Sequence, residues 1–359
     1  MRIVHLIAAA RPNFMKIAPL YHAFSRQKWA RPVIVHTGQH YDRNMFADFF
    51  RDLGLPDPHV SLGLGSGTHA EQTGGVMIAY EKVLFESRPD LVIVVGDVNS
   101  TVACTLAAVK LGIRTAHLEA GLRSFDRTMP EEINRVVTDA IADHLWTPSR
   151  DGDTNLLREG VDPEKIRMVG NIMIDSLVMM TPAIEAEDAR WRFGLEGSDY
   201  GVVTLHRPSN VDDKDTLATL CQALRRIADR TPLIFPVHPR TRKQLDAFGL
   251  ADHLARHKNI ILTEPLGYKA FMNLVFGARF AVTDSGGLQE ETTYLGIPCV
   301  TLRPNTERPV TVDQGTNVLG TPDTLEADLE KAMAKKGRTV PEMWDGRTAD
   351  RVVELVHGF

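Results

Sequence analysis

The sequence predicts two doubly wound, Rossmann-like α/β domains. A chain of 359 residues is too long for one ordinary core and suits two domains of common size. Short β-branched runs alternate with amphipathic helical patterns from end to end. The runs are almost continuously apolar, which is typical of parallel strands covered on both faces.

The elements follow in order along the chain. Predicted strands of the first half lie at 3–8, 32–37, 91–95, 114–118 and 144–147, and its helices at 15–26, 43–53, 70–86, 101–110 and 131–142. Those of the second half lie at 201–205, 233–237, 260–262, 280–283 and 299–302, with helices at 214–229, 269–276, 288–295 and 325–335. A polar, acid-rich stretch at 185–199 separates the halves, and we place the domains at 1–172 and 173–344.

Composition narrows the class of protein. A formal net charge of -5 with 24% charged residues gives no reason to expect nucleic acid or an anionic membrane as partner. Cys104, Cys221 and Cys299 are scattered and odd in number, so buried packing is favoured over a disulfide or zinc site. The opening apolar run is short and contains His5, which indicates a first strand rather than an export signal. We expect a cytoplasmic protein.

The most informative segment is V-T-D-S-G-G-L-Q-E-E at 282–291, which follows a strand and opens a helix. Gly286 and Gly287 allow close approach of a ligand, the N–H groups of the helix start favour phosphate, and Ser285 adds a hydroxyl. Glu291 suits ribose hydroxyls, and Arg308 lies just past the next strand. The alternative is a helix cap followed by a glycine turn.

The loop after the first strand contains Arg11 and Lys16, which can neutralise a diphosphate or be two solvated basic residues. It contains no G-x-G-x-x-G, so no dinucleotide cofactor is predicted.

Three carboxylates of the first half, Asp97, Glu119 and Glu131, occupy strand ends or a helix start. Carboxylates gathered in one cleft can transfer protons, although each alone also suits a cap. Arg123 and Arg135 belong to the same segments and are predicted substrate contacts.

His206 and His238 follow two strands of the second half, each close to an arginine. A histidine there can bind phosphate, position a sugar or transfer a proton. A lone histidine is usually structural, and the pair leaves a ligand site and a structural role equally open.

Taken together, these segments resemble the non-hydrolysing UDP-N-acetylglucosamine 2-epimerases over nearly the whole chain. The shared motifs are R-P-x-x-x-K-x-A-P-L from residue 11, T-x-Q-H from 37, G-D, E-A-G-L-R, P-E-E-x-N-R, P-V-H, D-S-G-G-x-Q-E-E and T-E-R-P. Each motif is weak alone, and their order and spacing make the resemblance specific.

The resemblance implies a glycosyltransferase-B-type fold with a cleft between the domains, a C-terminal helix within 345–359 that crosses back to the first domain, and a homodimer. It implies reversible C2 epimerisation of UDP-N-acetylglucosamine through a 2-acetamidoglucal, without metal or cofactor, in cell-surface polysaccharide biosynthesis. The implied catalytic set is Asp97, Glu119, Glu131 and His206. The implied UDP contacts are Arg11, His206, Ser285, Gly286, Gly287 and Glu291, and Lys16, Arg123, Arg135, His238 and Arg308 complete the predicted binding set.

Two departures from the family pattern matter. Pro208 and Ser209 stand where many members have Arg and Glu, which leaves room for a modified sugar. Gln39 and His40 match a second UDP-sugar site, but Asp42 replaces a glutamine there and segment 65–69 has no arginine. We therefore expect hyperbolic kinetics. A hydrolysing relative, a glycosyltransferase and a non-catalytic UDP-sugar sensor remain alternative readings of the same residues.

Overall fold

A computed structural model describes residues 1–38, 50–335 and 339–359. The chain divides into two compact units, Met1–Met179 with Glu342–Phe359 and Met180–Pro341. Each unit contains one sheet in which every pair of neighbouring strands is parallel. Helices connect successive strands, apart from the link between β2 and β3, most of which lies outside the described residues. The predicted α/β class with two doubly wound sheets is confirmed.

The strands of the first unit are β1 (Arg2–Ala8), β2 (Ala30–Gly38), β3 (Val60–Leu64), β4 (Leu91–Val95), β5 (Thr115–Leu118), β6 (His144–Thr147) and β7 (Ile166–Met168). Those of the second unit are β8 (Gly201–Thr204), β9 (Leu233–Pro236), β10 (Ile260–Thr263), β11 (Phe280–Thr283), β12 (Cys299–Leu302) and β13 (Asn317–Gly320). The sheet orders are β3-β2-β1-β4-β5-β6-β7 and β10-β9-β8-β11-β12-β13. All ten predicted strands are present.

The helices up to the division are α1 (Arg11–Ser25), α2 (His69–Glu86), α3 (Asn99–Lys110), α4 (Pro130–Ile141), α5 (Arg150–Arg158) and α6 (Ile172–Glu185). After it come α7 (Ala189–Arg192), α8 (Pro208–Val211), α9 (Lys214–Ala228), α10 (Pro239–Ala247), α11 (Ala251–Ala255), α12 (Tyr268–Phe276), α13 (Gly286–Leu295), α14 (Val310–Asp313), α15 (Leu325–Ala334) and α16 (Thr348–His357). The helix predicted at 43–53 lies largely outside the described residues.

The last helix belongs to the first unit because its start and end are both bonded there. Asp175 in α6 accepts hydrogen bonds from the backbone N–H groups of Thr348 (3.0 Å) and Ala349 (2.8 Å), which caps α16. At the other end, the Arg2 guanidinium donates to the carbonyls of Val356 and Phe359.

Each sheet has one point where the strand order reverses, and loops at such a point are the usual ligand-binding loops of doubly wound folds. In the first unit the reversal lies between β1 and β4, and in the second between β8 and β11. The segments after these four strands begin near Arg11, Asp97, His206 and Asp284. The fold therefore places predicted site residues at the reversal of each sheet.

Candidate active site

Glu119 is held in a strained backbone conformation at the end of β5. Its φ is +73°, in the left-handed region that only a few residues other than glycine adopt. The side chain is 4% exposed, and its Oε2 accepts a hydrogen bond from Lys16 Nζ at 2.5 Å. The backbone N–H groups of Glu119 and Ala120 both donate to the Trp146 carbonyl at 3.1 Å. Strain at a buried, paired carboxylate marks this residue as a functional candidate.

The turn after β4 makes room for this ion pair because residue 96 is a glycine. A Cβ at Gly96 would lie 3.2 Å from Lys16 Nζ and 3.4 Å from Glu119 Oε2. Its φ of +74° also favours glycine. The backbone of the following residue, Asp97, is thereby brought beside the pair.

Asp97 is oriented by the start of α4. Arg135 donates to Asp97 Oδ2 from Nε (3.0 Å) and from Nη2 (2.7 Å), and Asn134 Nδ2 donates to the Asp97 carbonyl at 2.9 Å. The same guanidinium pairs with Glu132. Arg135, a predicted substrate contact, is thus a buried partner of two carboxylates. Glu131 on the same helix is exposed, and within the described ranges it forms no hydrogen bond or ion pair.

A buried polar network lies directly behind these residues, and sequence reasoning missed it. His117 Nδ1 lies 2.6 Å from Asp139 Oδ1, and His117 Nε2 lies 2.9 Å from the Gly96 carbonyl oxygen. Asp139 Oδ2 also accepts from Gly121 N at 3.0 Å. Burial would raise the pKa of Asp139, but its contacts with His117 and Arg123 outweigh it and lower that pKa.

Arg123 belongs to this network rather than to an exposed surface. Its guanidinium donates to Asp139 Oδ2 at 2.7 Å and to Glu159 Oε2 at 2.6 Å, and its side chain is 1% exposed. Arg123 therefore links the end of α5 to the loop after β5. The structure gives no support to the prediction that Arg123 contacts the substrate.

In the second unit, the start of α13 has the features of an anion site. Ser285 is the N-cap residue, yet its side chain makes no capping hydrogen bond. A Cβ at Gly286 would lie 2.9 Å from Glu307 Oε1, whereas one at Gly287 would meet no described atom within 4 Å. The first N–H groups of a helix lack partners within it and carry partial positive charge. The ten-residue helix α13 thus presents Ser285 and Gly287 beside an anion-attracting end.

Further along α13, Glu291 is buried and bonded to Tyr268, whose hydroxyl donates to Oε1 at 2.7 Å. Burial raises the pKa of Glu291 to about 7, although the Tyr268 hydrogen bond opposes the shift. Arg308, a predicted UDP contact, is buried with its Nε 2.9 Å from Glu290 Oε2. Tyr268 gave no signal in the sequence because it merely begins α12.

The loops after β8 and β11 join His206 to Asp284. His206 Nδ1 lies 2.8 Å from Asp284 Oδ1, and 39% of the His206 side chain is exposed. The ring of His238 lies 5.6 Å from that of His206, between centroids. His238 begins α10, where its Nδ1 accepts a hydrogen bond from Arg240 N at 3.2 Å. Burial, with His206 and Arg240 nearby, lowers the pKa of His238, against the pull of Asp284.

The remaining predicted residues have other outcomes. The side chain of Arg11, which begins α1, lies outside what the structure describes, as do Gln39 and His40. Cys104, Cys221 and Cys299 are buried and free, as predicted. In the described part of the chain, no group of three or more His, Cys, Asp or Glu residues is placed to hold a metal ion. No described helix is both long and apolar enough to span a membrane.

Comparison with known proteins agrees with this arrangement. The sequence model of the family described as UDP-N-acetylglucosamine 2-epimerase matches residues 22–357. The chain belongs to the UDP-N-acetylglucosamine 2-epimerase family. The family resemblance predicted from the motifs is thereby confirmed.

Two curated relatives show the range of this epimerase family. The UDP-N-acetylglucosamine 2-epimerase of Methanocaldococcus jannaschii is 42% identical, over 98% of each chain. The UDP-2,3-diacetamido-2,3-dideoxy-D-glucuronate 2-epimerase of Pseudomonas aeruginosa is 38% identical, over 99% of each chain. Relatives of this chain are therefore named for different UDP-sugars.

Solved structures of the family match the whole chain. The M. jannaschii UDP-GlcNAc 2-epimerase in complex with UDP-GlcNAc and UDP has a TM-score of 0.88 and 42% identity, covering 99% of this chain and 100% of that one. The Neisseria meningitidis UDP-GlcNAc 2-epimerase bound to UDP-GlcNAc has a TM-score of 0.87 and 25% identity, covering 100% of each chain.

Proposed function

We propose that this epimerase-family chain inverts C2 of a UDP-N-acetylhexosamine, interconverting UDP-N-acetylglucosamine and UDP-N-acetylmannosamine without net hydrolysis. The observation that carries the proposal is the placement of three carboxylates on neighbouring elements of the first unit. Asp97 and Glu119 lie at the ends of adjacent strands, each held by a cation, and Glu131 lies on the helix that orients Asp97. This arrangement supports proton transfer rather than helix capping alone.

The proposed chemistry is an elimination followed by an addition. A base takes the C2 proton, the C2–H electron pair forms the C1=C2 bond, and the C1–O bond breaks as UDP leaves with its electron pair. Re-addition of UDP at C1 and protonation of C2 from the opposite face give the epimer. Two faces require two proton-transfer groups, which accounts for more than one carboxylate. Asp97, Glu119 and Glu131 are the proposed donors and acceptors.

UDP has to stay bound while its bond to the sugar is broken, and we assign this task to the second unit. The diphosphate suits the N-terminal end of α13, where Gly286 and Gly287 present N–H groups and Ser285 presents a hydroxyl. Glu291, partly protonated near neutral pH, suits ribose hydroxyls as either donor or acceptor. His206 is the proposed fourth catalytic residue, and Lys16 and His238 complete the binding set.

One observation favours a second candidate substrate. The P. aeruginosa relative is named for a UDP-2,3-diacetamido sugar acid, and it is 38% identical over 99% of this chain. At the start of α8, Pro208 and Ser209 are both exposed and replace the charged pair of many members. A UDP-sugar modified at C3 and C6 is therefore the second substrate to assay.

The deciding experiment is a proton NMR time course with each UDP-sugar in deuterated water, without metal or nicotinamide. UDP-N-acetylmannosamine with deuterium at C2 and little free sugar is the expected result. Free N-acetylmannosamine and UDP would instead assign the hydrolysing reaction. Glu119→Gln should abolish both deuterium uptake and turnover, whereas Glu159→Gln, which alters only the far partner of Arg123, should retain both.

Three further expectations stay predictions. The homodimer is tested by sedimentation velocity, and hyperbolic kinetics by initial rates over a wide range of substrate concentration. The assignment of the two compact units as sugar-side and nucleotide-side domains is tested by comparing UDP affinity of Glu119→Gln and Glu291→Ala. Only the second change should weaken UDP alone by tenfold or more.

A further inference from the structure

Asp284 and His206 are brought together by the reversal of the second sheet. Strands β8 and β11 are adjacent and parallel, with Thr204 paired to Thr283 in register. Residue 284 therefore follows β11 beside the segment that follows β8. Asp284 is fully buried, whereas His206 is partly exposed. The buried Asp284 carboxylate thus lies directly against the His206 ring, which is exposed enough to contact a ligand.

The Asp284 carboxylate is surrounded by donors. Its Oδ2 accepts from the backbone N–H groups of His206 (2.9 Å) and Arg207 (2.8 Å) and from Asn210 Nδ2 (3.1 Å). Its Oδ1 faces His206 Nδ1 at 2.8 Å. Burial would raise the pKa of Asp284, but the His206 ring and the backbone donors lower it. The carboxylate is therefore ionised at neutral pH and can only accept hydrogen bonds.

This fixes which ring nitrogen of His206 carries a proton. Nδ1 must donate to the carboxylate, so in the neutral ring Nε2 has a lone pair. No described residue forms a hydrogen bond with Nε2. The neighbouring His238 is arranged the other way, because its Nδ1 accepts from Arg240 N and its Nε2 must carry the proton when the ring is neutral. The two adjacent rings thus present one acceptor and one donor.

We propose that Asp284 is a positioning residue that holds His206 as the Nδ1–H tautomer, so that Nε2 presents its lone pair to the bound UDP-sugar. The proposal deepens the epimerase function proposed above and rests on it for the identity of the reaction. Asp284 itself is not placed against the substrate. It acts through the ring, as the buried aspartate does in Ser-His-Asp hydrolases.

Asp284→Asn separates this role from simple support of the loop. The three donors around Oδ2 keep the amide oxygen in that position, so the amide NH₂ replaces Oδ1 opposite His206. His206 Nδ1 then has to accept, and the proton moves to Nε2. The loop keeps the three hydrogen bonds to the amide oxygen and loses only the longer one from His206 N to Oδ1 (3.1 Å), while Nε2 of His206 loses its lone pair.

The test measures the tautomer directly in full-length protein with ¹⁵N-labelled histidine, at about pH 8. Two-bond ¹⁵N–¹H correlations distinguish the tautomers, and the His206 signals are assigned by their loss in His206→Gln. We expect Nδ1–H in the wild type and Nε2–H in Asp284→Asn. With UDP-N-acetylglucosamine, kcat should fall by ~10²- to 10⁴-fold, as for the aspartate of a catalytic triad. KM and the Kd for UDP should change less than about threefold.

Asn210→Ala is the matched control because it removes another partner of Asp284 without touching the His206 ring. It should keep Nδ1–H and most of kcat. An Nε2–H tautomer in wild-type protein overturns the proposal without any variant, so misfolding of a mutant cannot hide the answer. A loss of kcat in Asp284→Asn with the tautomer unchanged also overturns it. A tautomer change in a protein that epimerises no UDP-sugar upholds the pair and refutes the epimerase assignment.

Discussion

The buried carboxyl of Glu291 should make the protein less stable as pH rises. Its pKa is about 7 in the folded chain and 4.5 in the absence of burial. A raised carboxyl pKa means that the folded state binds the proton more tightly, so the stabilisation is complete below about pH 4.5 and is lost through about pH 7. The full effect is about 3 kcal/mol, and the part lost between about pH 5.5 and 8.5 is about 2 kcal/mol.

Urea unfolding followed by circular dichroism at about pH 5.5 and 8.5 measures this loss. Glu291→Gln keeps an acceptor for the Tyr268 hydroxyl but cannot ionise, so it should lose about 2 kcal/mol less than the wild type over that interval. Asp175, whose pKa burial raises to about 6, contributes to both proteins and cancels in the difference. Equal pH slopes, or a wild type that gains more stability than Glu291→Gln as pH rises, would refute the argument.

Three further changes have defined outcomes. Gly286→Ala should lower the free energy of unfolding by about 1 kcal/mol because its Cβ would crowd the Glu307 carboxylate, whereas Gly287→Ala should leave it unchanged. Calorimetry should show about tenfold weaker UDP binding for both variants. Lys16→Met should lower the free energy of unfolding by about 3 kcal/mol because it leaves the buried Glu119 carboxylate without its counter-ion. Adding Glu119→Gln should restore part of that stability. Asp175→Ala removes both hydrogen bonds that cap the N-terminal end of α16. It should lower the free energy of unfolding in urea by about 2 kcal/mol.

The central strands could be predicted because burial on both faces leaves a continuous apolar run. All five residues of β4 are buried, and its predicted bounds are those observed. The edge strands β3, β7 and β13 were missed. In β3 only part of each side chain is covered, and β7 has three residues with a single buried one. Three residues give β7 no periodicity, whereas β3, V-S-L-G-L, does alternate apolar residues with Ser and Gly, and this weak strand signal was missed.

Helix α6 was missed for the opposite reason. Its first six residues are all buried, so it has no polar face and no amphipathic period. Pro182 inside it also argues against a helix at that point. The predicted boundary, between residues 172 and 173, falls at the start of this helix, whereas the compact units divide after Met179.

Candidate site residues were predicted where a motif follows a strand, as for Asp97 and Glu119. Their partners were not. His117 lies within β5 and Asp139 inside α4, positions where a polar residue is indistinguishable from ordinary helix or strand composition. Only the three-dimensional pairing shows that they support the loop of Glu119. The H-x-E-A-G spacing is the one signal that could have suggested His117.

The capped helix α16 has a consequence for how the chain is made. The first unit is interrupted by residues 180–341 and needs residues 342–359 to be whole. During translation, its seven-stranded sheet emerges first but lacks the helix that Asp175 and Arg2 bind. The second unit is continuous in sequence, so all of it is synthesised before the last segment of the first unit. On the ribosome, the unit whose sheet is made first is therefore completed only after the other unit has been synthesised.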